Sequence, residues 1–349
     1  MSVLLTGASG FIALHIIDVL LSKNHKVIGT VRSQSKADKI TKQFKELYPQ
    51  GELSFEIVED IAAPGAFNHV LQKHPEIKKV LHTASPFSFG LNKDLKDAYL
   101  TPATEGTKNI LIAIKDYAPQ VDKVVVTSSF ASIYDGNNAH KRDFIHKEET
   151  WNPIVWSDVQ NEVDAYFASK KLAEELARTF VKENNVNFAL TTINPPYVLG
   201  PQKFDDVLVN PTLNTSAEIV NSLLSTKLDE KEFVQGFSGL AVDVRDVSKL
   251  HVQAIEDNKL DDKRIFPVNG AFVGQTILNI IHKQFPELNN KIGKGDDDEA
   301  KNEQVLKDHA PLYDNSKTHE WTGLKEISFE QTIKDSVQQI LDFQKKNQA

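Results

Sequence analysis

The sequence predicts an α/β protein: a doubly wound parallel sheet covered by helices on both faces, followed by a smaller, mainly helical C-terminal lobe. Three observations carry this. The chain opens on a short apolar run at 3–6 that ends in a glycine turn, Gly7-Ala8-Ser9-Gly10, and passes straight into a helical pattern of Phe11, Leu14, Ile17, Leu20 and Leu21. Strand-like and helical stretches then alternate to about residue 196. The strand-like stretches are β-branched and apolar without polar alternation, as in strands buried on both faces.

The elements follow in order. After the first strand, turn and helix, a second strand is expected over 26–32 and a charged helix over 33–47. Strands at 53–58 and 79–84 flank a helical stretch around 66–72, and a helix over 103–117 leads to a fifth strand at 123–129. A long helix is expected over 164–183, with Leu172, Leu176 and Phe180 as its buried stripe, then a sixth strand over 187–195. Beyond Pro196 the regularity weakens. Helices are expected over 216–224 and from the Val-Asp-Val-Arg-Asp stretch at 242–246 to about residue 256. A strand over 264–270 returns to an edge of the main sheet, because Pro267 cannot donate to an inner ladder. The acidic run at 293–299 reads as a solvated loop, and 329–345 as a terminal amphipathic helix. The expected division is 1–196, joined by about 241–272, as a nucleotide-binding unit, with 197–240 and 273–349 as a substrate lobe.

Composition removes several classes of function. With 349 residues the chain can bury a large core, and its net charge of −8 disfavours a nucleic-acid surface, which needs clustered Lys and Arg. It has no cysteine, so disulfides, thiolate zinc sites and cysteine nucleophiles are excluded. No basic-then-apolar leader and no membrane-length apolar run is visible, so a cytoplasmic protein without a membrane partner is expected.

Three constellations carry chemistry. The glycine turn places unpaired N–H groups and the positive end of a helix at one point, which suits a phosphate, with Ala13 as the third small residue. Alone, such a turn also suits a strand-turn-helix with no ligand. At the end of the second strand, where an acid would hold a ribose 2′-hydroxyl, the chain has Thr30-Val31-Arg32-Ser33 instead. Arg32, with Lys36 one turn later, can grip a 2′-phosphate, which favours NADPH; the alternative is two ordinary solvated cations. Tyr166 and Lys170, four residues apart, share one helical face, and an ammonium there would move the phenol towards working pH. Ser128 and Ser129 end the fifth strand, where a hydroxyl faces the crevice and can hold a carbonyl oxygen, or else cap a turn. The eleven His show no metal-ligand spacing, and no nucleophile elbow or phosphate loop competes.

These residues, with Asp60-Ile61, His82-Thr-Ala-Ser-Pro86, Asn194-Pro-Pro-Tyr-Val-Leu-Gly-Pro201 and Val242-Asp-Val-Arg-Asp246, resemble the extended short-chain dehydrogenase/reductases along essentially the whole chain. Within them the chain is similar to the dihydroflavonol reductase-like branch and to fungal NADPH-dependent methylglyoxal and aldehyde/ketone reductases. The resemblance implies a Rossmann fold and a metal-free, NADPH-dependent reduction of aldehydes and ketones such as methylglyoxal and 3-methylbutanal. It implies that Gly7, Ala8, Ser9, Gly10, Phe11 and Ile12 hold the pyrophosphate, Arg32 and Lys36 the 2′-phosphate, and Asp60 and Ile61 the adenine end. Ala84, Pro195 and Val198 would lie beside the nicotinamide ribose and ring, and Ser216 would return to the phosphates. Tyr166 would be the proton donor, Ser129, by its place before Phe130-Ala131, the catalytic serine, and Lys170 the ribose ligand that lowers the Tyr166 pKa.

Phe87, Phe89, Phe130, Tyr134 and Tyr197 adjoin these motifs and are expected either to form an aromatic substrate pocket or to belong to the core. The expected partner is a small carbonyl compound, with a monomer or homodimer as the working unit. Two other readings use the same fold. A sugar-nucleotide epimerase or dehydratase would need arginines for a second diphosphate, yet after Arg178 the chain has only Arg245 and Arg264, and no acid pair follows Ser129. A non-catalytic NADP-binding regulator commonly lacks the Tyr/Lys pair present here.

Overall fold

A computed structural model describes residues 1–85, 90, 93–139, 141–210, 212–229, 238–296 and 298–348. The N-terminal part alternates β1 (Ser2–Thr6), α1 (Phe11–Ser22), β2 (Lys26–Val31), α2 (Gln34–Leu47), β3 (Leu53–Ile57), α3 (Asn68–Lys73), β4 (Ile77–His82), α4 (Thr101–Tyr117), β5 (Lys123–Thr127), α5 (Glu162–Glu183) and β6 (Ala189–Ile193). There follow β7 (Tyr197–Leu199), α6 (Thr215–Leu223), β8 (Ser238–Asp243), α7 (Val244–Glu256), β9 (Arg264–Ile265), β10 (Gly270–Val273), α8 (Gly274–Gln284), α9 (Glu299–His309), α10 (Ser316–Thr322) and α11 (Phe329–Gln348).

The main sheet is parallel, in the order β3-β2-β1-β4-β5-β6-β9. The expected doubly wound fold is present, and the order reverses between β1 and β4, which opens a crevice beyond their C-terminal ends. Both faces are covered. Val3 and Leu5 point into a core shared with α1, α2 and α7, while Leu4 points into the opposite core with α4 and α5. That is why the strands carry no polar alternation.

The smaller lobe is mainly helical, as expected, with α6, α8, α9, α10 and α11. It contains a second sheet, β10-β8-β7, with β10 antiparallel and β7 parallel to β8. Three-residue β7 is too short to show a period in sequence. The strand expected over 264–270 is two pieces: β9 pairs with β6 at the edge of the main sheet, and β10, after Pro267, joins the second sheet. The helix expected from 103 starts earlier, since Lys96–Leu100 is wound as a π-helix running into α4. On α5 the buried residues are Ala165, Ala168, Ser169, Lys171, Ala173, Glu174 and Ala177, whereas Leu172, Leu176 and Phe180 are half-buried. Small residues let α5 approach the end of β5. Part of the acidic run is structural as well, because the Asp298 carboxylate caps α9 by accepting from Lys301 N (3.1 Å).

The Val-Asp-Val-Arg-Asp stretch fastens the lobe. Asp243, fully buried, caps α7 through Arg245 N (2.8 Å), accepts Arg245 Nε (2.8 Å) and Nη2 (2.7 Å), and accepts Thr332 Oγ1 of α11 (2.9 Å). Arg245 Nη1 also reaches Asp335 (2.7 Å). Among the described residues no helix is long and apolar enough to cross a membrane.

Candidate active site

Gly7 follows β1 with φ +67°, a conformation that favours glycine, and a Cβ there would lie 2.8 Å from the Ala84 Cα at the end of β4. The turn closes through Gly10 N donating to Gly7 O (3.0 Å) and Ala8 N to Thr30 O (2.9 Å). Gly10 is the N-cap of α1 and has no side chain to cap the helix, so its first N–H groups are left to the crevice that Gly10, Phe11 and Ile12 line. Ala13 is buried, which lets α1 lie close on the sheet.

Two cavities meet at this turn and share Gly10, Thr83 and Ser85 on their walls. The smaller, of about 250 Å³, is lined by Gly7, Ser9, Ile61 and Ala84 and, at its far end, by Arg32 and Lys36. No carboxylate lines it, and neither cation makes an ion pair among the described residues. This donor set suits a phosphate on the adenosine ribose and gives a free 2′-hydroxyl no acid to bind.

The larger cavity, about 800 Å³, holds Ser129, Tyr166 and Lys170 on its wall with Phe11, Ile12, Pro195, Val198 and Ser216. Tyr166 Oη donates to Ser129 Oγ over 3.3 Å. Ser128 and Ser129 both line this cavity, and their hydroxyls differ in partner: Ser128 Oγ donates to the buried Glu174 carboxylate (2.5 Å), whereas Ser129 Oγ accepts from Tyr166 and from Ala131 N (3.1 Å). Lys170 Nζ donates to Ser85 Oγ (3.0 Å) and lies 5.9 Å from the centre of the Tyr166 ring. Burial lowers the Lys170 pKa from 10.5 to about 8. Tyr166 moves opposite to the sequence expectation: burial raises its pKa, the Ser129 hydrogen bond lowers it and Tyr197 raises it further. His82, buried beneath the site and bonded to Thr6 Oγ1 (2.8 Å), falls to about 3 through burial and the Lys170 charge, and is neutral.

The model of the NAD dependent epimerase/dehydratase family matches residues 3–268. The chain belongs to this family. It is similar to the NADPH-dependent methylglyoxal reductase of Saccharomyces cerevisiae, with 41% identity over 99% of this chain and 99% of that protein. In structure it is similar to Gre2 of Candida albicans in complex with NADPH, with a TM-score of 0.92, 42% identity, and coverage of 98% of this chain and 99% of that one. It is likewise similar to yeast methylglyoxal/isovaleraldehyde reductase complexed with NADPH, with a TM-score of 0.91, 40% identity, and 99% of each chain covered.

Other family positions fall less simply. Ala8 is fully buried and lines neither cavity, and Asp60 caps its own turn through Ala62 N (2.9 Å) outside both. Phe130 and Tyr134 line neither: Phe130 stacks on Phe266 (5.2 Å) and Tyr134 on the buried His146 (5.5 Å), so their faces are filled by other rings. Tyr197 is 39% exposed, lies against Phe272 and Gly239, and also lines neither. Phe87 and Phe89 lie outside the described residues. Sequence reasoning passed over Ser85, the Lys170 partner, although it stands in the His-Thr-Ala-Ser-Pro motif. It also passed over the cleft-lining Thr212, Asn214 and Glu218, which carry only the polar pattern of a helix start, and Ser222 in the last turn of α6. Among the described residues no arginine lines the larger cavity; Arg245 is held by Asp243 and Asp335, and Arg178 and Arg264 by Glu174.

Proposed function

We propose that the protein is an NADPH-dependent carbonyl reductase that acts on small and medium aldehydes and ketones, with methylglyoxal and 3-methylbutanal as representatives of the class. The observation that carries this is the Tyr166–Ser129 contact, with Lys170 one turn on, in a cleft continuous with the acid-free Arg32/Lys36 cavity. The relatives whose names or titles state NADPH and methylglyoxal span almost the whole chain. The absence of arginine on the larger cavity's wall leaves a second diphosphate, as in a sugar nucleotide, without its usual grip.

Bound NADPH supplies the hydride that adds to the carbonyl carbon. The chain's residues handle the oxygen. Tyr166 is held protonated by burial and gives its proton as negative charge develops on that oxygen. The Tyr166 O–H that donates to Ser129 Oγ in the free cleft turns to the carbonyl oxygen, while Ser129 Oγ, still accepting from Ala131 N, donates its own O–H to the same oxygen. Lys170, mostly charged at neutral pH, sits where its ammonium favours the phenolate left on Tyr166. Pro195, Pro196, Val198 and Ile219 give the cleft its apolar wall. The cytoplasm suits a chain with no disulfide to protect.

A carbonyl panel assayed with NADPH and NADH in parallel tests the reading. Absorbance at 340 nm should fall with NADPH and one or more of these carbonyls, and Tyr166→Phe should lower kcat at least about 100-fold. Wild-type protein that binds NADPH yet consumes none with any of them would sink it.

A further inference from the structure

Glu174 is 1% exposed on α5, one turn past Lys170 and two past Tyr166, and it does not line the larger cavity. Five side chains donate to it. Its Oε2 accepts Ser128 Oγ (2.5 Å) and Asn194 Nδ2 (2.6 Å); its Oε1 accepts Thr192 Oγ1 (3.0 Å), Arg264 Nε (2.7 Å) and Arg178 Nε (3.2 Å). Burial alone would raise its pKa, but Arg264 and then Arg178, with hydrogen bonds from Arg264 and Ser128, hold it below the ordinary carboxylate value.

The donors divide by reach. The guanidiniums balance the charge, and Arg264 spreads further, to Glu148 O (2.8 Å), Thr150 O (2.6 Å) and Ser132 O (3.3 Å), lying 3.9 Å over the Trp151 ring. Ser128 and Asn194 add nothing to the charge balance. They are short, and each is fixed at a strand end next to the reaction centre. Ser128 precedes Ser129, while Asn194 Nδ2 also donates to the Ser129 carbonyl (3.3 Å) and Asn194 precedes the cleft residue Pro195. A buried ion pair can often be replaced by apolar packing without loss of stability, so fold alone does not call for this arrangement.

We infer that Glu174 is a positioning residue for the reduction: it holds Ser128 and Asn194, and so sets the Ser129 hydroxyl and the Pro195 wall against Tyr166 and Lys170 of its own helix. This rests on the reductase reading. The same helix thus carries the proton donor and the brace for its partner. A misplacement of about 1 Å at a reacting group can cost roughly 100-fold in rate, so the brace has a kinetic consequence apart from stability.

Two variants separate alignment from folding. Glu174→Asp keeps a carboxylate for the long guanidinium side chains, which can follow it, and withdraws it from Ser128 and Asn194, which cannot. Ser128→Ala removes one of those bonds without changing charge. Both should keep a KM for NADPH within about twofold of wild type while kcat falls by about tenfold or more, and the primary isotope effect with deuterated NADPH should rise as hydride transfer becomes slower than release. A wild-type kcat in either variant overturns the inference. So does a fall with no rise in isotope effect, or one that only matches the fraction of protein unable to bind NADPH. Wild type inactive on every carbonyl removes the reductase reading as well; active wild type with unaltered variants removes this inference alone.

Discussion

Arg32 lines the small cavity from the end of β2 and Lys36 from the first turn of α2, with no carboxylate of the described residues on that wall. A charge-assisted hydrogen bond contributes about 1.5–3 kcal/mol, so Arg32→Ala should raise the KM for NADPH roughly 10- to 100-fold and leave that for NADH nearly unchanged. Parallel titration of the two cofactors checks this, and an equal effect on both would refute the 2′-phosphate assignment. Lys170 makes a second residue-scale statement. Folding lowers its pKa from 10.5 to about 8, so the unfolded chain holds that proton more tightly. The resulting loss of stability is complete below about pH 8 and is relieved as pH rises from there towards 10.5. Lys170→Met should therefore melt above wild type at pH 7, with the gap closing towards pH 10.5, although its activity is lost. Melting scans across that range read it.

At the scale of elements, the site is made where strands end and helices begin. The turn between β1 and α1 can approach β4 only because Gly7 lacks a Cβ. Gly7→Ala would set a methyl against the Ala84 backbone at φ +67° and should destabilise by at least about 1 kcal/mol. Urea unfolding measures that loss, and NADPH affinity should fall with it. The helix α5 begins at Asn161, whose side chain accepts from Val163 N (2.9 Å) and Asp164 N (3.0 Å). That cap fixes the start of α5, and with it the heights of Tyr166, Lys170 and Glu174 above the sheet. The Tyr-x-x-x-Lys spacing was legible in the chain because a helical period of 3.6 residues determines it. The companion Glu174, eight residues on from Tyr166, was not, since a glutamate at that spacing reads as readily as a solvated residue.

On the scale of the whole molecule, the lobe is joined to the main sheet through charge. Asp243 is fully buried and depends on Arg245, whose side chain is 30% exposed. Arg245→Ala should cost about 2–3 kcal/mol, less than a fully buried pair because the guanidinium is partly solvated, and should free α11 to proteolysis before the main sheet unfolds. A urea midpoint with limited digestion tests both parts; loss of stability without early release of α11 would mean the lobe is anchored elsewhere.

Periodicity and glycine placement gave the order of strands and helices, the crevice beyond β1 and the residues that meet there, since those follow from local backbone geometry. Arg32 in place of an acid pointed to NADPH for the same reason: the second strand of this fold ends at one place. Contacts between distant segments were out of reach. The different partners of the Ser128 and Ser129 hydroxyls, the second sheet, the rings that fill the space around Phe130 and Tyr134, and the upward pKa of Tyr166 all depend on burial and on neighbours far off in sequence. Tertiary structure alone decides these, because one-dimensional spacing carries no record of which groups share a low-dielectric interior.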